Sequence, residues 1–219
     1  ALPVPVLEKW RTISTHTLLE RYGMTEIGMA LSNAYRTERR PGHVGLPLPG
    51  VEIRLVDTEG KDVKATGEPG EIQIKGPNVF KEYWRKPKAT ANAYMDGWFR
   101  SGDVAIFNKG MFKILGRDSV DIIKSGGYKI SALEIEDILR RHPAIKECAV
   151  VGLADNEWGE IVAASLITDE KDFDFNALKK WLKELLPAYK VPRKFIIQEE
   201  LPRNTLGKVT KKVLKSAFG

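Results

Sequence analysis

The sequence has 219 residues, of which 42% are hydrophobic and 29% are charged, and this balance excludes a disordered or fibrous chain. The single cysteine, Cys148, excludes an internal disulfide framework and fits a reducing compartment. The longest apolar runs are far too short to span a bilayer, so we expect no transmembrane segment.

The first seven residues, ALPVPVL, do not have the pattern of a secretion signal. They lack an initiator Met, a charged leading region and a sustained apolar core. We therefore expect the sequence to begin in the middle of a longer chain.

The first half of the chain is predicted to form a small antiparallel β unit that ends near residue 116. Residues 51–57 and 71–75 alternate apolar and polar side chains, which is the period of half-buried strands. Turn-forming residues stand at 57–60, 67–70 and 108–110. The last of these turns lies between two apolar segments and predicts a β-hairpin.

The second half is predicted to form a compact mixed α+β domain. Ser131 and Glu134 have the spacing of a capping box, which predicts a helix that Pro143 stops. Asp174 can cap a second helix, and a short basic helix is expected at 209–218. Strands are predicted at 145–153, 161–168 and 195–197.

The positive charge is concentrated near the C-terminus. Residues 171–219 hold 12 Lys or Arg against 5 Asp or Glu, whereas the other residues hold 23 against 24, so this stretch carries the whole net charge of +6. Such a concentration favours an anionic partner, and a solvated Lys-rich surface is the alternative. Nucleic acid is a poor candidate, because the segment lacks interleaved aromatic residues and Cys/His ligand spacing.

Five segments in order resemble the motifs of the ATP-dependent adenylate-forming superfamily, which includes acyl-CoA synthetases, luciferases and peptide-synthetase adenylation domains. They are YGMTE at 22–26, GEIQIKG at 70–76, GWFRSGD at 97–103, the stretch from GR at 116–117 to EIE at 134–136, and PRNTLGKV at 202–209. Each segment alone is weak evidence, but all five in order are highly specific. The resemblance implies that ATP, Mg²⁺ and coenzyme A are bound.

Two of these motifs contain side chains that suit a nucleotide. Asp103 can accept hydrogen bonds from a diol such as ribose, and the planar guanidinium of Arg117 suits a phosphate or a ribose hydroxyl. The resemblance assigns both to ATP, together with Tyr22, Gly23, Met24 and Thr25. The alternatives are an Asp that caps a turn between strands and an ordinary surface Arg.

Thr25 and Glu26 follow a turn that contains glycine. The resemblance implies that Thr25 contacts a phosphate and that Glu26 helps to hold Mg²⁺, for which carboxylate and hydroxyl oxygens are suitable ligands. A helix N-cap followed by an acidic residue in the first turn is the structural alternative.

Lys208 is the predicted catalytic residue. It stands in a glycine-containing loop before a basic helix, from which its ammonium can reach a site in another domain. Adenylation brings a carboxylate to the α-phosphate, and a cation placed there neutralises the developing charge. The resemblance assigns that role, and ATP contact, to Lys208; one more solvated Lys is the alternative.

Residues Lys124, Ser125, Gly126 and Gly127 are predicted to meet coenzyme A. Two consecutive glycines permit close backbone approach, and lysines flank them. The resemblance implies that this face contacts the nucleotide end of coenzyme A, whereas a glycine turn without a ligand is the alternative.

The resemblance also implies a division into two domains and a hinge between them. We expect residues 1–116 to be the C-terminal part of a large AMP-binding domain, and residues 117–219 to be a small mobile domain. The segment after Gly116-Arg117 is one residue longer than the usual family spacing. Asp118, Ser119 or Val120 is therefore expected to be the hinge.

Within the superfamily, residues 24–45 most resemble malonyl-CoA synthetases, including a mitochondrial enzyme of animals. A dicarboxylate needs a cation for its second carboxylate, and Arg39 and Arg40 are candidates for this role. Two loop charges are the alternative, and the decisive cation is then expected upstream. The resemblance implies the mitochondrial matrix, with the cytoplasm as the alternative.

The predicted function is therefore part of a longer acid–thiol ligase that makes malonyl-CoA from small-molecule substrates. The glycine-rich phosphate loop of the family and most of the acyl pocket are not found in these residues. We expect the missing N-terminal domain to act in cis and the present residues alone to be inactive. The alternatives are a ligase for methylmalonate, a coumarate-like acid or a fatty acid, and a non-catalytic module that binds coenzyme A or another anion.

Overall fold

The structure is a computed structural model that describes residues 2–219. The chain divides into two compact units, of which the first ends at Asp118 and the second begins at Ser119. Both units contain antiparallel sheets and helices, so the predicted α+β fold class is confirmed. That the two units correspond to the end of a large domain and to a small mobile domain stays a prediction.

The first unit contains two antiparallel sheets. Strands β1 (Arg21–Met24), β2 (Gly28–Ser32) and β3 (Leu46–Pro47) form the smaller sheet in that order. The larger sheet consists of β4 (Glu52–Val56), β5 (Gly70–Lys75), β6 (Tyr94–Met95), β7 (Trp98–Asn108) and β8 (Met111–Arg117). Strand β7 is central and pairs with β5, β6 and β8. The predicted strands and the hairpin at 108–110 are thus confirmed.

Two helices of the first unit were not predicted from the sequence. Helix α1 covers Val4–Ser14 and helix α2 covers Pro87–Ala93. Both have a proline in the first turn. Proline fits there because the first N–H groups of a helix have no intrahelical partner.

One apolar core joins the two sheets of the first unit. Leu31 of the smaller sheet and Ile27 of its first turn pack with side chains from the larger sheet, including Ile72, Ile74 and Phe99. All five are almost completely buried. This packing fixes β1 and the turn after it against the larger sheet.

The second unit is a five-stranded sheet with helices on both faces. Its elements are β9 (Ile122–Ser125), β10 (Tyr128–Ser131), α3 (Ala132–Leu139), β11 (Glu147–Asp155), β12 (Gly159–Ile167), α4 (Phe175–Leu185), a 3-10 helix (Ala188–Lys190), β13 (Lys194–Ile197) and α5 (Lys211–Ser216). The strand order is β10-β9-β12-β11, and β13 pairs in parallel with β12.

Strand β11 explains why both faces of this sheet need a cover. Cys148 and Val150 point into a core with α3 and α4, whereas Ala149 and Val151 point into a second core with α5. Successive residues of a strand face opposite sides, so a continuous apolar run indicates burial on both faces. Burial raises the pKa of the Cys148 thiol to about 12.

The predicted helix caps are confirmed, and one helix is shorter than predicted. Ser131 Oγ accepts from the Glu134 N–H, and Asp174 Oδ1 accepts from two N–H groups at the start of α4. Helix α5 begins at Lys211 because Val209 forms a β-bridge with Arg203 instead. Among the described residues, no helix combines the length and apolarity that a membrane crossing requires.

Candidate functional site

Three predicted nucleotide ligands from three separate motifs meet in the first unit. The Tyr22 hydroxyl donates to Asp103 Oδ2 at 2.7 Å, and Arg117 Nε donates to Asp103 Oδ1 at 3.2 Å. Asp103 and Arg117 are directly opposed on β7 and β8, while Tyr22 comes from β1 of the other sheet. The sequence motifs therefore converge on one cluster, which we call the Asp103 cluster.

The protonation state of Tyr22 suits its role as a donor in the Asp103 cluster. Burial raises the pKa of Tyr22 well above its usual range, and the negative charge of Asp103 raises the pKa further. The phenol therefore stays protonated and donates. A carboxylate has about four acceptor sites, so two bound donors leave Asp103 able to accept more hydrogen bonds. Its side chain is 14% exposed, so a ligand can reach it.

Ser101 supports the Asp103 cluster from behind and was not singled out by the sequence. Its buried hydroxyl donates to the Ile72 carbonyl at 2.7 Å and accepts from the Asp103 N–H at 3.1 Å. Its carbonyl accepts from Arg117 Nη2 at 3.0 Å. The Asp103 segment lies inside β7 and not in a turn between strands, so that alternative interpretation is wrong.

The segment Tyr22–Glu26 forms a tight β-hairpin instead of the start of a helix. Thr25, Glu26 and Ile27 turn the chain between β1 and β2, so the helix-cap alternative for Thr25 is wrong. Glu26 Oε1 accepts from the Tyr83 hydroxyl at 2.9 Å, although 57 residues separate the two in sequence. Tyr83 follows another of the five motifs, and this contact places a further motif next to the hairpin.

Gly23 is the residue that this hairpin requires. A Cβ at Gly23 would lie 2.0 Å from the Gly28 carbonyl oxygen, far inside van der Waals contact. Gly23→Ala is expected to lower the free energy of unfolding of the chain by at least about 3 kcal/mol, because backbone has to move. Urea unfolding followed by circular dichroism measures it.

The control for this substitution is Gly67→Ala. No atom lies within 4 Å of the added Cβ there, and only its positive φ of +86° opposes the change. Gly67→Ala should lower the free energy of unfolding by about 1–2 kcal/mol. If both variants lowered the free energy of unfolding equally, the hairpin would tolerate a side chain at Gly23.

The predicted metal ligand has the donor chemistry of a site that magnesium shares with phosphates. Glu26 Oε2 has no hydrogen-bond partner among the described residues, while Oε1 is held by Tyr83. Residues 2–219 contain no group of three or more His, Cys, Asp or Glu that could hold a metal ion. Mg²⁺ commonly uses one or two carboxylates together with substrate phosphates and water. Glu26 fits such a shared ion and not a cage built by protein alone.

The guanidinium groups of Arg39 and Arg40 hold the loop before β3. Arg39 donates to the Tyr35 carbonyl at 2.9 Å and to the Thr17 carbonyl, and Arg40 donates to the Lys109 carbonyl at 2.7 Å. These contacts favour the alternative, in which both arginines stabilise the loop and do not bind substrate. Their assignment to a substrate carboxylate stays a prediction.

The predicted hinge segment lies at the boundary between the two units. Asp118, Ser119 and Val120 form a turn between β8 and β9, and Ser119 and Val120 are exposed. The Asp118 N–H donates to the Gly102 carbonyl at 3.0 Å. Asp118 is thereby bound to the strand that carries Asp103.

The predicted coenzyme A segment is a β-hairpin turn. Gly126 and Gly127 connect β9 and β10, and both have positive φ, at +55° and +81°. The Lys124 N–H donates to Glu160 Oε2, and the Gly126 N–H donates to the Trp158 carbonyl. Ser125 is buried, so the exposed part of this segment is Lys124 and the two glycines.

Lys208 is exposed on a compact loop that precedes α5. Asn204 builds this loop, because its Oδ1 accepts from the Leu206 N–H at 3.0 Å and from the Lys208 N–H at 2.9 Å. Arg203 donates to the Gly207 carbonyl and forms an ion pair with Glu147 on β11. The predicted loop is confirmed. Its support by Asn204 could have been found from the turn-forming Asn, whereas the contact of Arg203 with Glu147 has no local sequence signal.

Removal of the Asn204 side chain should loosen the Lys208 loop without unfolding the unit. Asn204→Ala leaves two N–H groups without their acceptor, and each lost hydrogen bond is expected to lower the stability of the loop by about 1 kcal/mol. The amides of Leu206 and Lys208 are expected to exchange with deuterium roughly tenfold faster. Thr205→Ala, at an exposed position of the same loop, is the control; equal exchange in both variants would contradict the role of Asn204.

Two family models match the chain. The model described as AMP-binding enzyme matches residues 1–84, and the model described as AMP-binding enzyme C-terminal domain matches residues 134–208. The first match contains the hairpin with Tyr22, and the second ends at Lys208. Both matches agree with the family that the five motifs resemble.

Known proteins resemble the chain over nearly all of its length. It is 48% identical to a mitochondrial malonate–CoA ligase, ACSF3, of Bos taurus over 98% of its residues, and 47% identical to a malonate–CoA ligase of Arabidopsis thaliana over 100%. The crystal structure of ATP-bound MatB from Rhodopseudomonas palustris matches 98% of the chain with a TM-score of 0.89 and 39% identity.

The chain spans only part of each of these proteins. It covers 40% of the Bos taurus relative, 37% of the Arabidopsis relative and 43% of the MatB chain. The motifs, the Asp103 cluster, the fold and both family models agree with one another. The chain belongs to the AMP-binding enzyme family.

Proposed function

We propose that these residues are the C-terminal part of an ATP-dependent acid–thiol ligase that converts malonate into malonyl-CoA. The observation that carries this proposal is the Asp103 cluster, in which three motifs meet at one partly open carboxylate. The names of the relatives supply the acid. Since the chain spans about 40% of the Bos taurus relative, the activity belongs to a longer protein.

The Asp103 cluster would hold the ribose of ATP. Asp103 accepts hydrogen bonds from the ribose hydroxyls, and hydrogen bonds to a charged acceptor are about twice as strong as neutral ones. Tyr22 and Arg117 fix the carboxylate from both sides. Because Arg117 is 51% exposed, it also has donors available for the nucleotide.

The β1–β2 hairpin would hold the phosphate end of ATP. The exposed Thr25 hydroxyl can donate to a phosphate oxygen, and Gly23 and Met24 precede it in the same hairpin. Glu26 would hold Mg²⁺ together with the phosphates, and the ion supplies charge neutralisation to the phosphate oxygens.

In the first step, a malonate oxygen attacks the α-phosphorus of ATP. The new oxygen–phosphorus bond forms as the bond to the β-phosphate bridge breaks, and pyrophosphate leaves. Two anions approach each other in this step, and Lys208 neutralises their charge without transferring a proton. Its exposed position on a loop braced by Asn204 and Arg203 supports this role.

In the second step, the thiol of coenzyme A attacks the acyl carbon of malonyl-AMP. The carbon–sulfur bond forms and the thiol proton goes to solvent, while the carbon–oxygen bond to AMP breaks and AMP leaves with the electron pair of that bond. We propose that the second unit rotates about residues 118–120 between the steps, which withdraws Lys208 and presents Gly126 and Gly127 to coenzyme A. The exposed glycine turn beside Lys124 supports the coenzyme A assignment.

The acid and the compartment are the finer parts of the proposal. Malonate rests on the names of the relatives, because Arg39 and Arg40 are bound to loop carbonyls. The mitochondrial matrix rests on the Bos taurus relative, which is named mitochondrial. Imaging of the full-length protein with a C-terminal tag tests the compartment.

A panel of acids tests the function. The full-length protein is assayed for ATP-dependent pyrophosphate release with malonate, methylmalonate, a coumarate-like acid and a fatty acid, and then for acyl-CoA. We expect malonate to give the highest kcat/KM. A preference for another acid would overturn malonate alone, and no activity with any acid would favour a module that binds coenzyme A or another anion. Residues 1–219 alone are expected to make no malonyl-CoA.

A further inference from the structure

Lys211 is the buried exception in the Lys-rich C-terminal segment. Its side chain is only 8% exposed. Its ammonium lies 2.7 Å from Asp121 Oδ1 and 2.8 Å from Glu136 Oε1. Lysine is rarely buried, and a buried lysine needs partners of opposite charge. The next residue, Lys212, has the same charge and is exposed.

Lys211 and its partners belong to a network of five charged side chains. Glu136 is 5% exposed, and its Oε2 accepts from Arg140 Nη2 at 3.1 Å. Glu136 Oε1 also accepts from the Val150 N–H at 2.9 Å. Arg140 also forms an ion pair with Asp137 at 3.5 Å, so three carboxylates face two cations. The network joins α5, α3, β11 and the turn that contains Asp121. A hydrogen-bonded buried network of this kind holds its segments in one geometry.

The position of Lys211 connects this network to the Lys208 loop. Lys211 is the first residue of α5 and follows Lys208 by three residues. Between them, the Thr210 N–H donates to the Pro202 carbonyl at 2.7 Å, which closes the base of the loop. Asp121 comes three residues after Asp118, where the first unit ends. The ion pair thus ties the loop base to the start of the second unit.

We propose that Lys211 is a positioning residue for Lys208. Its ion pairs with Asp121 and Glu136 hold the base of the Lys208 loop in place, and the loop in turn places Lys208. This inference rests on the proposed role of Lys208 in adenylation. All five charges belong to the second unit. The network is therefore retained when that unit rotates as one body. Lys208 then moves together with the unit.

The test compares variants of the full-length protein in the two half-reactions. Lys211→Met removes the lysine that faces Asp121 and the buried Glu136 and is a poor probe, because an uncompensated buried charge is strongly destabilising. The double variant Asp121→Asn, Lys211→Met removes one charge of each sign and keeps the pair of Glu136 with Arg140. Lys212→Met is the matched control for loss of a lysine on α5. Thermal unfolding reports whether each variant is folded.

The double variant is expected to fold, to lose about 100-fold in the rate of adenylation, and to keep thioester formation from supplied malonyl-AMP within about threefold. In a Lys208→Ala background it should cause no further loss of adenylation. Full adenylation in the folded double variant would overturn the inference. Equal loss of both half-reactions, or failure to fold, would also overturn it, because the network would then support the unit as a whole.

The proposed function and this inference fail in different ways. If Lys208→Ala itself keeps adenylation, the proposed role of Lys208 is wrong whatever the double variant does. If Lys208→Ala loses adenylation and the double variant does not, only the positioning role is wrong. Lys212→Met should behave as the parent protein in every assay.

Discussion

Lys208→Ala in the full-length protein is expected to lower the rate of malonyl-AMP formation by about 1000-fold or more. The reason is electrostatic, because the malonate carboxylate and the α-phosphate are both anions and only a positioned cation offsets their repulsion. Thioester formation from supplied malonyl-AMP and coenzyme A should stay within a few fold of the parent rate. Pyrophosphate release measures the first step, and malonyl-CoA chromatography measures the second.

The control is Lys212→Ala, which removes an exposed lysine four residues away. That variant should keep both half-reactions. If Lys208→Ala lost both half-reactions equally, the separation of the two steps would be wrong and Lys208 would act in both. The exposed loop makes misfolding a poor explanation of either result, since Lys208 has no ion-pair partner among residues 2–219.

Asp103→Asn is expected to raise the KM for ATP by about 100-fold while the protein stays folded. Hydrogen bonds to a charged acceptor contribute about 1.5–3 kcal/mol each, and the amide weakens those to the ribose. Asn is close to Asp in shape, and its remaining oxygen can still accept from the Tyr22 hydroxyl. Initial rates at varied ATP and a urea unfolding curve measure the two effects.

Asp96→Asn is the matched control for Asp103→Asn. Asp96 is exposed in the first unit and stands in the turn between β6 and β7 at a φ of +52°, which Asn tolerates well. It should leave the KM for ATP unchanged. A similar KM in Asp103→Asn and the parent protein would remove Asp103 from the nucleotide site.

Local patterns in the sequence predicted much of the fold. The alternation of β4 and β5, the caps of α3 and α4, and the hairpin at 108–110 depend on neighbouring residues, and the structure confirms them. The two missed helices begin with prolines that have a favourable place in a first turn. Without knowledge of what each segment packs against, such a proline has two opposite interpretations.

The motifs indicated individual site residues but not their contacts. Tyr22 and Asp103 are 81 residues apart, and their hydrogen bond exists only because the two sheets share a core. The contact of Tyr83 with Glu26 depends on the same packing. Ser101 has no distinctive sequence signal, because a buried serine and an exposed one look alike in a sequence.

The net charge also gained meaning from the structure. The basic C-terminal segment suggested either an anion-binding surface or a solvated one. Sequence position alone could not distinguish its exposed lysines from a buried one. Lys208 is exposed and Lys211 is buried among carboxylates, although only three residues separate them. The number of lysines and arginines in the segment is therefore larger than the number whose charge is available to bind a ligand.

The hydrogen bond from the Asp118 N–H to the Gly102 carbonyl limits where the chain can swivel. It holds the peptide plane between Arg117 and Asp118, so rotation at Arg117 would break it, whereas rotation about φ or ψ of Asp118, Ser119 or Val120 leaves that N–H in place. Both later residues are exposed, so the twist meets little packing there. We therefore expect that the proposed rotation of the second unit takes place at or after Asp118, so that it would leave the Asp103 cluster undisturbed.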